Sequence, residues 1–189
     1  MPDKSAQTIL ATAVLIVTGP PGAGKTTVAR ALAEQSGRRA VHLHADDFWH
    51  FIKTGWVAPY LPGAHEQNRV VIDVLAGAAF GYAAGGYFVV VDGIVGPWFL
   101  ESFMGCGQRS QKPLHYVVLR PTFAETLRRA QSRGGQALTD REPIESLYSQ
   151  FCNLGPLERH VIDTSGHDID RSVKLVVSAF AAGSLQLGS

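Results

Sequence analysis

The sequence predicts a three-layer α/β/α sandwich around a five-stranded parallel sheet. Three observations predict it. Five short apolar runs, several rich in β-branched residues, are spaced so that a helix fits between each pair. The segments between them carry helix-forming residues, with apolar positions three and four apart in the longest. The first run leads directly into Gly19-Pro20-Pro21-Gly22-Ala23-Gly24-Lys25-Thr26, a glycine-rich turn that opens a helix. A parallel sheet of this kind is covered on both faces, and its ligands bind at the carboxyl ends of the strands.

The elements follow in order. Val14–Thr18 is the first strand, and the segment from Val28 to Gln35 reads as helix. Ala40–His44 is the second strand, closed by Asp46 and Asp47. Glu66 to Ala83 predicts a long helix with Val70, Val71, Val74, Leu75, Ala78 and Ala79 on its apolar face. Tyr87–Asp92 is a continuous apolar strand ending on an acid, and Pro97 to Phe103 is a short helix with proline at its start. Leu114–Leu119 is the fourth strand. Thr122 caps a helix running to about Arg133, and Glu142 to Phe151 forms another. His160–Asp163 is the last strand. Asp168 or Asp170 opens a final helix over about Arg171–Phe180, and the small polar residues after it predict a frayed tail.

At 189 residues the chain predicts a single domain, residues 1–189, with a core over about 13–181. An insert over about 48–69 and a small lid over about 133–142 depart from the regular alternation. Lys+Arg number 17 against Asp+Glu 16, so no basic field is present to recruit nucleic acid. Cys106 and Cys152 are the only cysteines and lack metal-knuckle spacing, which points to a reduced compartment. The apolar run at Ile9 to Val17 is too short to span a bilayer. Cleaving it as a signal would destroy the first strand, so the expected location is cytoplasmic, with no membrane partner.

The chemistry starts at Gly19–Thr26, which fits the pattern of a phosphate-binding loop. Small residues let the backbone wrap a phosphate with its N–H groups inward. Prolines 20 and 21 have no N–H, so Gly22, Ala23, Gly24, Lys25, Thr26 and Thr27 must supply the donors. Lys25 offers a cation to the β- and γ-phosphates, Thr26 a hydroxyl to Mg²⁺, and the helix its positive end.

Asp46 and Asp47 follow the second strand on the same rim. Asp46 is placed to accept a proton from an incoming hydroxyl. Asp47 either reaches the metal or caps Phe48–Lys53. Asp92 ends the third strand, where an acid either supports the Mg²⁺ of the nucleotide or serves as a structural hydrogen-bond acceptor. Gly93 follows it in place of the glutamate with which motor ATPases polarise water. No Asn-Lys-x-Asp sequence for reading guanine occurs. Arg129 and Arg133 are four apart on one helix ahead of Gly134-Gly135, as suits cations on a mobile flap. Asp163-Thr164-Ser165-Gly166, after the last strand, either contacts the adenine through backbone groups, Ser165 among them, or is a plain turn. The insert mixes aromatics with polar groups, and Trp49, Lys53, Trp56, Tyr60, His65 and Arg69 are candidates for an acceptor pocket. Phe48, Phe51 and Ile52 are assigned to a satellite core, and His42 and His44 to structure.

This combination resembles the small P-loop kinases, among them the gluconate and shikimate kinases, nucleoside monophosphate kinases, chloramphenicol phosphotransferase and the zeta-toxin kinases. The carriers are GPPGAGKTT (Gly19–Thr27), HADDFW (His44–Trp49), VVVDG (Val89–Gly93), LRRAQSRGG (Leu127–Gly135) and VIDTSG (Val161–Gly166). The resemblance implies a nucleoside-monophosphate-kinase-like P-loop NTPase fold with a small lid, and use of ATP and Mg²⁺. It makes Asp46 the counterpart of the acid that deprotonates the acceptor hydroxyl, and Arg129 and Arg133 lid arginines, with Arg141 an addition. The expected activity is transfer of the γ-phosphate of ATP to a small hydroxyl acceptor. The alternatives are a kinase for a polynucleotide 5′ end or a nucleotide sugar, and a non-catalytic nucleotide-binding regulatory module.

Overall fold

The computed structural model describes residues 12–132 and 138–188. The strands are β1 (Val14–Thr18), β2 (Ala40–His44), β3 (Phe88–Asp92), β4 (Leu114–Leu119) and β5 (Val161–Ile162). The helices are α1 (Lys25–Glu34), α2 (Ala45–His50), α3 (His65–Ala84), α4 (Leu100–Ser110), α5 (Phe123–Gln131), α6 (Arg141–Ser149) and α7 (Ile169–Ala181). Short 3-10 turns lie at Pro62–Ala64, Pro97–Phe99 and Gly155–His160. All strand pairings within the sheet are parallel, in the order β2-β3-β1-β4-β5. The predicted three-layer α/β/α sandwich around a five-stranded parallel sheet is the one observed.

Alternation along the strands builds two cores. In β1, Val14 and Ile16 face one apolar layer, which holds the buried side of α3 and of α4. Leu15 and Val17 face the other, with α1 and α7. Period-two alternation on a strand buried on both faces is what a two-sided sheet requires. The register places Asp92 beside both Val17 and His44, so the first three strands end level with one another.

Several expectations are corrected. Helix α1 starts at Lys25, three residues before the predicted start, because the glycine-rich turn itself ends on the helix cap at Gly24. Helix α3 buries Val71, Ile72, Leu75, Ala76, Ala79, Phe80 and Ala83, while Val70 and Val74 are exposed. The sheet-facing stripe is therefore rotated from the predicted one. Helix α4 runs on to Ser110, well past Phe103, because Gly107 lets it pack closely on Phe80 of α3. The cap of the last helix is Asp168, whose carboxylate accepts from Arg171 N at 2.7 Å.

The tail is not frayed. Strand β5 pairs only with Val118 and Leu119, which leaves the first half of β4 with an open edge. Residues after α7 fill it: Tyr116 N donates to Leu185 O at 2.8 Å and Leu187 N to Leu114 O at 2.9 Å. An open edge on a buried strand would leave backbone groups without partners, so the tail completes the sheet. Among the described residues no helix is long and apolar enough to cross a membrane.

His115 lies under this tail, with its ring 4.1 Å from that of Phe180. Burial, and then the neighbouring His160, push its pKa down to about 4. The unfolded chain takes up the proton first. The stability linked to neutral His115 is therefore complete above about pH 6.5 and is lost as the pH falls toward about 4. The full span is worth about 3 kcal/mol. His115→Phe should shrink the difference between urea midpoints at pH 8 and pH 5. An unchanged difference would assign the acid sensitivity elsewhere.

Candidate active site

The P-loop runs from the end of β1 into α1. At Gly22 the backbone has φ +83°, and a Cβ there would lie 2.3 Å from Thr126 O. Glycine at this position lets the loop pass against α5 and keep its turn. Lys25 is buried, and its Nζ donates to Pro20 O at 2.9 Å, so the ammonium folds back over the loop it serves. Thr26 Oγ1 donates to Asp92 Oδ2 at 2.6 Å.

Asp92 is 0% exposed. Burial alone would raise its pKa, but hydrogen bonds from His42 and Thr26, with the charge of His44, outweigh it and hold the carboxyl below the usual range. The stability it contributes is present above the ordinary carboxylate range and is lost only as the pH falls through that depressed value. His42 Nε2 donates to Asp92 Oδ1 at 2.6 Å. His44 lies 4.0 Å from Asp92 Oδ2, 3.8 Å from Asp46 Oδ2 and 3.4 Å from Asp47 Oδ1. The His-x-His pattern of β2 thus points both rings at the end of β3, where they are part of the site and not only of the scaffold.

Asp46 and Asp47 lie in the first turn of α2, with side chains 62% and 63% exposed. Thr26 is thus hydrogen-bonded to Asp92, and the His44 ring stands between Asp92 and the exposed Asp46, within 4.0 Å of each, too far for a hydrogen bond to either. Gly93 turns the chain away behind Asp92. A Cβ there would lie 2.5 Å from Ala45 Cβ, so a glutamate cannot be housed at that place without displacing α2. The segment beyond is pinned to the rim: Val95 N donates to Thr18 Oγ1 and Tyr116 Oη donates to Val95 O, both at 3.0 Å.

The donor set suits a hard divalent cation. An ionised buried carboxylate and a hydroxyl stand side by side, and oxygen is the ligand such ions prefer. Among the described residues no group of three His, Cys, Asp or Glu side chains converges to cage a metal.

The expected acceptor residues are not gathered in this way. Trp49 is 7% exposed, and its indole N–H donates to Asn68 Oδ1 at 2.8 Å, while Asn68 Nδ2 holds Pro59 O at 2.7 Å. Trp49 thus ties α2 to α3, and its polar atom is not turned to a ligand. Lys53 Nζ donates to His50 O at 3.0 Å, and Arg69 pairs with Glu66 at 2.9 Å. Gln67 holds Val57 by both backbone groups, at 2.8 and 2.7 Å. The insert is therefore stitched to α3. Phe51, expected in a satellite core, is 68% exposed. With Phe48, Ile52, Val70 and Val74 it lines an open groove of about 470 Å³. Phe48 lies about 200° around α2 from Asp46, so the groove and the acid occupy different sides of that helix.

On the far side of the P-loop, Arg129 pairs with Glu125, whose other oxygen accepts from Gly166 N at 2.9 Å. Ser165 Oγ accepts from Thr122 N at 2.9 Å and donates to Asp163 Oδ1 at 2.5 Å. The turn after β5 is thereby clamped against α5. The hydroxyls of Thr126 and Thr164 are buried there without a protein partner. Arg141 stands over the Phe123 ring at 5.7 Å and lies 3.6 Å from Glu145. Arg133, and the lid as far as residue 137, lie outside the described residues.

His42, Thr18 and Glu125 did not stand out in the sequence. Only His42 had a readable signal: a polar residue facing the same way as His44, whose neighbour in register is the acid at the end of β3.

A family model described as AAA domain matches residues 15–148. No curated protein matches the chain. Among solved structures, the tunicamycin resistance protein of Deinococcus radiodurans is 16% identical over 94% of this chain and 99% of its own, with a TM-score of 0.66. Shikimate kinase from Acinetobacter baumannii, in complex with shikimate, is 20% identical over 94% and 98%, with a TM-score of 0.60. A gluconokinase from Sinorhizobium meliloti 1021 is 15% identical over 92% and 94%, with a TM-score of 0.61. At these identities the likeness is one of fold.

Proposed function

The chain belongs to the AAA-domain family and has the fold of the small P-loop kinases, and on that premise we propose that it is an ATP-dependent phosphotransferase acting on a hydroxyl of a small molecule. The observation that carries the reading is the placement on one rim of the Thr26–Asp92 pair and the exposed Asp46, with His44 3.8–4.0 Å from both acids. It sets an exposed carboxylate beside the loop that holds a phosphate. A nucleotide-binding module has no need of such an acid. A motor ATPase needs a glutamate after Asp92, and the contact between Gly93 and Ala45 leaves no room for one.

In this reading the backbone of Gly22 to Thr27 cradles the β- and γ-phosphates. Lys25 leaves Pro20 O for them and follows the charge that builds on the leaving oxygen. Thr26 and Asp92 hold Mg²⁺, which supplies charge neutralisation at the phosphates when bound. Asp46 orients the acceptor hydroxyl and takes its proton as the new O–P bond forms and the bond to the β-phosphate oxygen breaks. Glu125, Gly166 and Ser165 form the base-side wall, with Arg129 held there by Glu125. That position suits the nucleotide more than the reacting phosphate. Arg133 remains the candidate lid cation.

The test is incubation with ATP and Mg²⁺ and a panel of sugars, sugar acids, nucleosides and amino-alcohol antibiotics, read by mass spectrometry. A product heavier by one phosphoryl group supports the reading. Tight ATP binding with no phosphorylated product across a wide panel favours the regulatory module.

A further inference from the structure

Asp92 is the one member of the rim whose two oxygens are both engaged by side chains, Oδ2 by Thr26 and Oδ1 by His42. The second contact is not what strand geometry alone would produce. His42 is in register with Val90, and His44 with Asp92. The His42 ring therefore leans forward along β2, past its own neighbour, to meet the carboxylate. Asp92 carries its charge, so Nε2 is the protonated nitrogen and donates. Strand β2 is at the edge of the sheet, and the His42 side chain keeps 20% of its surface. Its partner is wholly buried.

We propose that His42 is a positioning residue for the cation-binding carboxylate: it fixes one oxygen of Asp92 so that the other stays aimed at Thr26. The inference rests on the phosphotransferase reading, in which Thr26 and Asp92 hold Mg²⁺. Thr26 and Asp92 would hold Mg²⁺ through their oxygens, directly or through water, when it is bound. A carboxylate held at Oδ2 alone would be freer to turn about its Cβ–Cγ bond. With Oδ1 held at 2.6 Å by His42, the carboxylate would already be in place for a cation. Partners of this kind behind a metal ligand change metal affinity by about 10–100-fold when removed.

The test measures ADP binding by isothermal titration, in excess Mg²⁺ and again in EDTA, for the wild type and three variants. His42→Phe keeps the bulk of the ring without a donor. His42→Asn keeps polarity but is too short to reach. His42→Gln restores an N–H at about the right distance. The expected result is a loss of about 10–100-fold in the Mg²⁺-dependent part of the affinity for Phe and Asn, an unchanged affinity in EDTA, and recovery of most of the loss by Gln. If Phe does not fold, Asn against Gln gives the same comparison. Equal losses in both conditions, no loss, or a Gln variant no better than Asn would overturn the proposal. A wild type that binds no ADP in either condition would contradict the phosphotransferase reading itself, whereas Mg²⁺-dependent binding that His42→Phe leaves intact would contradict only the role of His42.

Discussion

Lys25→Met is expected to lower phosphate transfer by at least about 10²-fold. The side chain is buried, and its ammonium now rests on a carbonyl of the P-loop. Methionine fills nearly the same volume, so the loop should keep its path and the melting temperature should change little. What is lost is a cation in a site shielded from water, where charge is worth far more than at the surface. In-line phosphoryl transfer depends almost wholly on such positioning and charge stabilisation. Both kcat and kcat/KM for ATP should therefore fall. A variant with full turnover and only a raised KM would show that Lys25 binds ground-state phosphate and nothing more.

Asp46→Asn is expected to cost about 10²–10⁴-fold in kcat, the usual worth of a positioned general base. The side chain is mostly exposed and its substituted form is isosteric, so stability should be unchanged. ATP affinity should also be unchanged, because Asp46 reaches the phosphate side only through His44. Asp47→Asn is the matched control. Asp47 sits in the same turn at the same exposure and also contacts His44, so a general loss of negative charge near His44 would affect both variants alike. A large drop for Asp46→Asn with a small one for Asp47→Asn assigns the proton to Asp46. Equal drops would make the pair an electrostatic patch.

Much of the framework was legible in the sequence because it is local. The limits of β2, Ala40–His44, followed from a short apolar run closed by two acids, and the P-loop from residue types that few other turns tolerate. Asp92 was legible as an acid ending a run of valines. The features that were not legible depend on register or on edges. The reach of His42 toward Asp92 exists only because β2 and β3 are paired with His44 beside Asp92. The tail is ordered because β5 is two residues long and leaves half of β4 open, a fact of strand length and not of tail composition. Trp49 has the sequence character of a ligand-facing aromatic, but Asn68, nineteen residues later, takes its N–H. The apolar stripe of α3 is ambiguous in the sequence because valine occurs on both sides of the helix: Val71 is buried while Val70 and Val74 are exposed.

The exposed groove at Phe51, Val70 and Val74 bears on the same point. The mixture of aromatics and polar groups points to the insert as the acceptor pocket, yet α2 sets Phe48, in the groove, and Asp46 on different sides. The acid, and not the groove, marks where a hydroxyl must come if transfer is to occur.

The central claim is that phosphate leaves ATP for a hydroxyl other than that of water. The most direct measurement follows ADP and phosphorylated acceptor in one reaction, once the panel has named an acceptor. The account predicts one phosphorylated product for each ADP, with little ADP formed when the acceptor is left out and both products suppressed together in Asp46→Asn. ADP and free phosphate released at the same rate with and without acceptor would contradict it.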